Sequence, residues 1–74
     1  MNDGLRIIEE VAARHRLPVG VMVAPGRRRE LVAARREAVL RLRQETNLPL
    51  KAIGCLLGGR HHSTILHALK SAQA

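Results

Sequence analysis

The sequence predicts an all-α fold, a compact bundle of four main helices, and three observations predict it. The chain has 74 residues, 46% of them hydrophobic, yet no Phe, Tyr or Trp, so its core is built from Leu, Ile, Val, Ala and Met, the residues that pack helix on helix. Apolar residues recur at helical spacing along most of its length. Gly and Pro interrupt that spacing at a few definite places. A chain this short has room for one domain, residues 1–74, which buries only about 60% of the surface its unfolded form exposes, so its stability is modest.

The first helix runs roughly from Gly4 to His15. Asp3 precedes it as a cap for the first free N–H groups, and Leu5, Ile8, Val11 and Ala12 alternate with Arg6, Glu9, Glu10 and Arg14. His15 ends it within reach of the last carbonyls. Pro18 and Gly20 break the pattern, and Val19, Val21, Met22 and Val23 form no more than about a turn before Pro25-Gly26. Those residues make a connector that lids the core. A lone strand there would leave its backbone groups unpaired.

The longest helix follows the arginines at 27–29, with Leu31, Ala34, Ala38, Val39 and Leu42 on its apolar face and Arg35, Arg36, Glu37, Arg41 and Arg43 on the others. Arg35 and Arg36 read as solvated or salt-bridged, with phosphate contact as the lesser alternative. The helix closes near Thr46-Asn47, where Asn tolerates the left-handed backbone. Pro49 suits the first turn of a short helix whose apolar face is Leu50, Ile53 and Leu57, and Gly58-Gly59 stop it. In the last helix Ile65, Ala68, Leu69 and Ala72 face inward, while Ser63, Thr64, His67, Lys70 and Ser71 face outward.

No apolar run approaches the ~18 residues of a membrane span, and no export signal opens the chain, so the expectation is a soluble, cytoplasmic, nucleoid-associated protein with no membrane partner. The one cysteine, Cys55, excludes an internal disulfide and reads as a small buried apolar group. It has no evident base or orienting acid, and Cys55, His61, His62 and His67 lack zinc-ligand spacing. No catalysis, metal or cofactor is expected.

The formal net charge is +7 and the sequence pI about 11.6, which calls for an anionic partner. The excess is unevenly placed. Arg6, Arg14 and Arg16 offset Asp3, Glu9 and Glu10, whereas residues 25–74 carry ten Lys or Arg against Glu30, Glu37 and Glu45. Beyond Glu45 there are no acids, only Lys51, Arg60 and Lys70. A merely solvated face mixes signs, so nucleic acid is the better reading. Readers of single strands stack bases on aromatic side chains, of which this chain has none, so the duplex is favoured.

A short helix, a tight turn containing Gly and a second helix with a polar first turn make up a helix-turn-helix, and residues 49–72 supply all three. His61, His62, Ser63 and Thr64 offer donors, acceptors and a methyl group to base edges. The same residues also occur in plain capping turns.

The stretch Gly58-Gly59-Arg60-His61-His62-Ser63-Thr64-Ile65-Leu66-His67-Ala68 resembles the signature of the bacterial replication initiator DnaA, close to G-G-R-D-H-[ST]-T-V-L-H-A. Upstream, Glu45-Thr46-Asn47-Leu48-Pro49-Leu50-Lys51-Ala52-Ile53-Gly54 is similar to that family's E-L-T-x-x-S-L-P-E-I-G, and the similarity extends back through Arg27–Arg29 to the first helix. Nearly the whole chain resembles the family's C-terminal DNA-binding domain. The resemblance implies that Arg27 enters the minor groove while Arg28 and Arg29 meet phosphates. It places Arg60 on the DNA backbone and His62, Ser63 and Thr64 at base edges in the major groove, with Leu50, Lys51, His61 and His67 in the same DNA-facing region. A planar guanidinium suits a narrow, negative minor groove, and a Thr methyl suits that of thymine.

His61 stands where the family has Asp, and Lys51 where it has Pro, so the initiator's usual recognition sequence is not the expected target. As a cap, His is poorer than Asp. The sequence also lacks the G-x-x-x-x-G-K-[ST] phosphate loop of an ATPase, which leaves a stand-alone reading head. Two roles follow. One is a sequence-specific regulator of transcription, alone or as the N-terminal module of a longer regulator whose other part contacts the transcription machinery. The other is a replication-side protein that competes for initiator sites or contacts the initiator. The altered His61 and Lys51 favour the first, and the lack of a heptad seam points to a monomer.

Overall fold

Among the described residues five helices follow one another: α1 (Asp3–Arg14), α2 (Val19–Val23), α3 (Arg29–Glu45), α4 (Leu50–Leu56) and α5 (His62–Gln73). The structure, a computed structural model, describes residues 3–26 and 28–73, with the side chains among them except those of residues 62 and 71–73. The connector expected after Pro18 is the single-turn helix α2, so the bundle has its four main helices plus one short one.

α1 begins at Asp3, inside the helix instead of ahead of it, and buries Ile7, Ile8, Val11 and Ala12. It closes with the Leu17 N–H donating to the Ala12 carbonyl at 2.9 Å, which requires a left-handed residue, and Arg16 adopts it with φ 56°. Met22 of α2 is fully buried, with Val19 and Val23 packed against the core, so the apolar connector does act as a lid.

α3 is the central element, packing against α1, α2 and α5. Its buried stripe is Leu31, Ala34, Arg35, Ala38, Val39 and Leu42, the expected set with one addition, Arg35. Thr46, in extended backbone, ends α3: its hydroxyl donates to the Leu42 carbonyl at 2.5 Å and accepts from the Leu48 N–H at 3.3 Å. Asn47 therefore supplies no left-handed closure, and among the described residues only Arg16, Gly58 and Gly59 have positive φ.

Ile53, Leu57, Ile65 and Leu69 bring α4 and α5 onto the core formed by α1 and α3. Pro49 caps α4 from outside, its carbonyl accepting from the Ile53 N–H at 3.1 Å. Ion pairs tie α1 to α3, with Arg41 2.9 Å from Glu10 and Arg14 3.2 Å from Glu37, while Arg41 also lies 2.7 Å from Glu45 within α3. His15 reaches across the same seam, its Nε2 3.1 Å from Glu37 Oε1, instead of bonding the carbonyls at the end of its own helix. Among the described residues, no helix is long and apolar enough to cross a membrane.

Candidate nucleic-acid interface

The turn between α4 and α5 is built on one carbonyl. Gly54 O accepts from the N–H groups of Leu57, Gly59 and Arg60 at 3.2, 3.0 and 2.9 Å, which folds the chain sharply back at the end of α4. Gly58 and Gly59 take φ of 87° and 79°, a region that side-chain-bearing residues rarely enter. Gly58 also lies so close to the Val23 carbonyl that a Cβ would collide with it. The first two residues of the signature thus serve backbone geometry, and the third serves packing.

That third residue, Arg60, is turned inward. Its Nη1 donates to the carbonyls of Val23, at 3.0 Å, and Leu57, and its Nη2 to that of Ala24 at 3.1 Å. These bonds commit the guanidinium to the protein's own backbone, away from the outward position expected for a phosphate contact. Carbonyls left exposed by α2 and by the end of α4 need donors, and the arginine fork reaches several at once.

The polar start of α5 does face solvent. His61, Ser63, Thr64 and His67 are exposed, while Ile65 on the opposite face is buried. His61 caps the helix after all: its Nδ1 accepts from the Ser63 N–H at 3.1 Å, as the neutral ring can. The helix therefore keeps a capped start although Asp is missing. The side chain of His62 and the residue Arg27, both expected at the DNA, lie outside the described parts.

Lys51 is exposed on α4, with Leu50 half-buried beside it. Cys55 is exposed as well, against the expectation of a buried thiol. The apolar face of α4 is set by Ile53 and Leu57, and a residue two positions from Ile53 points the other way. Lys51, Cys55, Gly59 and His61 instead line a shallow hollow outside the turn.

Arg28 and Arg29, at the start of α3, are exposed. Arg28 pairs with Glu30, with 2.7 Å between Nη2 and Oε1, and Glu30 is held below the usual carboxylate range by a backbone hydrogen bond and then by Arg28. An exposed pair of this kind contributes little to stability. Arg36, read from the sequence mainly as a solvated or salt-bridged residue, lines a groove of about 230 Å³ between α3 and α5 together with Thr64, His67 and Ala68. It adds a cation next to the polar face of α5.

The charge is segregated by the fold. Glu10, Glu37 and Glu45 are matched by arginines on the α1 and α3 side, and α4, the turn and α5 contain no acid. Among the described residues, no group of three or more His, Cys, Asp or Glu could hold a metal ion. The arrangement offers a polar helix N-terminus, flanking cations and a rigid turn, which suits an anionic, structured surface.

Comparison with known proteins agrees with this geometry. The family described as bacterial DnaA protein helix-turn-helix matches residues 5–71. The chromosomal replication initiator protein DnaA of Thermomicrobium roseum is 40% identical across 90% of this chain and 14% of its own length. That of Thermus thermophilus is 38% identical across 96% of the chain and 16% of its own length, and that of Roseiflexus castenholzii 41% identical across 82% and 13%. The chain thus spans about a seventh of these relatives. No solved structure matches it. Matched by the family from α1 into α5, and sharing its turn signature, the chain belongs to the bacterial DnaA helix-turn-helix family, as a DnaA-type DNA-binding domain.

Proposed function

We propose that the chain is a sequence-specific reader of duplex DNA that regulates transcription, as a monomer and without catalysis or cofactor, with residues 49–72 as its helix-turn-helix. The observation that carries this reading is α5 itself: Ser63, Thr64 and His67 stand exposed on a helix fixed by the Gly58-Gly59 turn, on the side of the molecule that lacks acids. Base edges are read by Thr64, Ser63 and His62, with His61, His67, Leu50 and Lys51 around them. Arg28, Arg29 and Arg36 meet phosphates, and Arg27 enters the minor groove beside them. His61 and Lys51 replace the family's Asp and Pro, which favours a target other than the initiator's.

A second reading, regulation of replication by occupying initiator sites or contacting the initiator, is favoured by the relatives, which are named as chromosomal replication initiators. Selection of bound duplexes from a randomised library distinguishes the two. Enrichment of a sequence unlike the initiator's supports the transcriptional role, and enrichment of the initiator's own site supports the second. On the selected duplex, Thr64→Ala is expected to weaken binding by about 1–3 kcal/mol and to leave unrelated DNA nearly unaffected. Arg28→Ala is expected to weaken binding to all sequences alike and to lower the log-log salt slope by about 0.9. Equal effects of both substitutions on selected and unrelated DNA would overturn sequence-specific reading by α5.

A further inference from the structure

Arg35 occupies a core position of α3 and is only 9% exposed. It donates through all three guanidinium nitrogens to one short segment: Nε to Met22 O at 2.8 Å, Nη2 to Ala24 O at 2.5 Å and Nη1 to Gly26 O at 2.6 Å. Arg60 bonds the same segment, donating to Val23 O and Ala24 O. Ala24 O is shared. Two like charges therefore converge on one strip of backbone, and burial together with the Arg60 charge pushes the Arg35 pKa down.

Such a pair is a poor means of stabilising a core, because desolvation and mutual repulsion oppose it. It achieves something else. Two rigid forks satisfy the carbonyls of Met22, Val23, Ala24 and Gly26, and so tie three pieces of chain together: the middle of α3, the segment Met22–Gly26 that leads toward Arg28, and the turn of the helix-turn-helix. We propose that Arg35 and Arg60 are positioning residues for DNA recognition, which fix the segment ending at Gly26, and with it the approach of the chain to Arg28, relative to α5, so that Arg28 and α5 can meet the duplex at once. Preorganisation of this kind removes an ordering cost that binding would otherwise bear. The inference rests on the reading of Arg28, in the loop ahead of α3, and α5 as two DNA-contacting parts.

Arg35→Lys and Arg60→Lys keep the charge and lose the fork. The probe is the duplex selected by the unmodified chain, with a scrambled duplex as its non-specific control, and folding is followed by circular dichroism at 4 °C. In the unmodified background, Arg28→Ala is expected to lower the salt slope by about 0.9. In either lysine background, with the fold retained, the same substitution is expected to change the slope by less than about half that amount, because the loop no longer sits on its phosphate. Thr64→Ala is expected to keep its full effect on the specific-to-scrambled ratio in all backgrounds. A merely structural role would leave the loop substitution fully effective in the folded fraction, and that additivity would overturn the proposal. Lysine variants unfolded at 4 °C would overturn it as well, since the arginines would then hold the fold and not the interface. If Arg28→Ala and Thr64→Ala have no effect in the unmodified chain, the interface assignment fails instead of the brace.

Discussion

Gly54→Ala sets two effects of known size against each other. In the body of a helix, alanine is favoured over glycine by about 1 kcal/mol. At Gly54, however, a Cβ would be driven into the backbone carbonyl oxygen of Arg60, with that carbonyl carbon at 3.2 Å and Ile65 Cγ1 at 3.5 Å. No side-chain rotation relieves a clash with backbone. The start of α5 has to move from α4, and forced shifts of this kind cost about 1–3 kcal/mol. They also stretch the bonds that Gly59 and Arg60 donate to Gly54 O, each worth about 1 kcal/mol. The clash wins, and the net loss is about 1–3 kcal/mol, or on the order of 10 °C in melting temperature for a domain of this size.

Gly20→Ala is the matched control. Gly20 lies in α2, exposed, with nothing within 4 Å of where a Cβ would stand and no positive φ. Its substitution is expected to be neutral or to stabilise by up to about 1 kcal/mol. Thermal unfolding by circular dichroism compares the two directly, and DNA binding of Gly54→Ala below its melting point is expected to be weakened on the selected duplex. A Gly54→Ala protein that melts at or above the unmodified chain would refute the close approach of α4 and α5 on which the interface depends.

Three further outcomes follow from particular residues. Arg16 holds a left-handed conformation that costs a side-chain-bearing residue about 1–2 kcal/mol, so Arg16→Gly is expected to stabilise by about 0.5–1 kcal/mol after glycine's unfolded-state entropy is counted; a lower melting temperature would contradict this. His61→Asp puts a carboxylate where Nδ1 now accepts from Ser63, and is expected to raise stability by about 0.5–1 kcal/mol and to shift the selected base toward cytosine; an unchanged selection would remove His61 from the base-reading set. Glu30 and Glu45 are both held below the usual carboxylate range, Glu30 by a backbone hydrogen bond and then Arg28, and Glu45 by Arg41. A pKa depressed by folding gives stability that is complete above the unfolded value and is lost as pH falls through the folded one. The melting temperature is therefore expected to hold from neutral pH to about pH 5 and to fall below it, less steeply in Glu45→Gln; a flat profile down to about pH 3 would contradict the assignment.

The helices were legible because their signals are local. Apolar spacing located α1, α3, α4 and α5, and Gly58-Gly59 marked the turn, whose positive φ only glycine adopts easily. The polar face of α5 followed from the same periodicity: once Ile65 and Leu69 face the core, Ser63, Thr64 and His67 must face outward. Cys55 shows how a local signal can be misapplied. Its residue type suggested burial, but its register relative to Ile53 and Leu57 places it outside, and register decides.

By itself the sequence determined the all-α class, the uneven charge and the place of the turn, since composition, spacing and glycine stereochemistry act within a few residues of their cause. Only the tertiary structure decided where the arginines point. Arg35 stands four residues after Leu31 and four before Val39, a spacing that puts it in the buried stripe, yet its charge argues for solvent and no local rule resolves the conflict. What resolves it is a set of carbonyls supplied by Met22, Ala24 and Gly26, distant in sequence and brought near by the packing of α2 on α3. Arg60 is turned inward by the same segment, 36 residues before it. A long side chain settles where its hydrogen-bond partners are, and those partners exist only once the chain has folded.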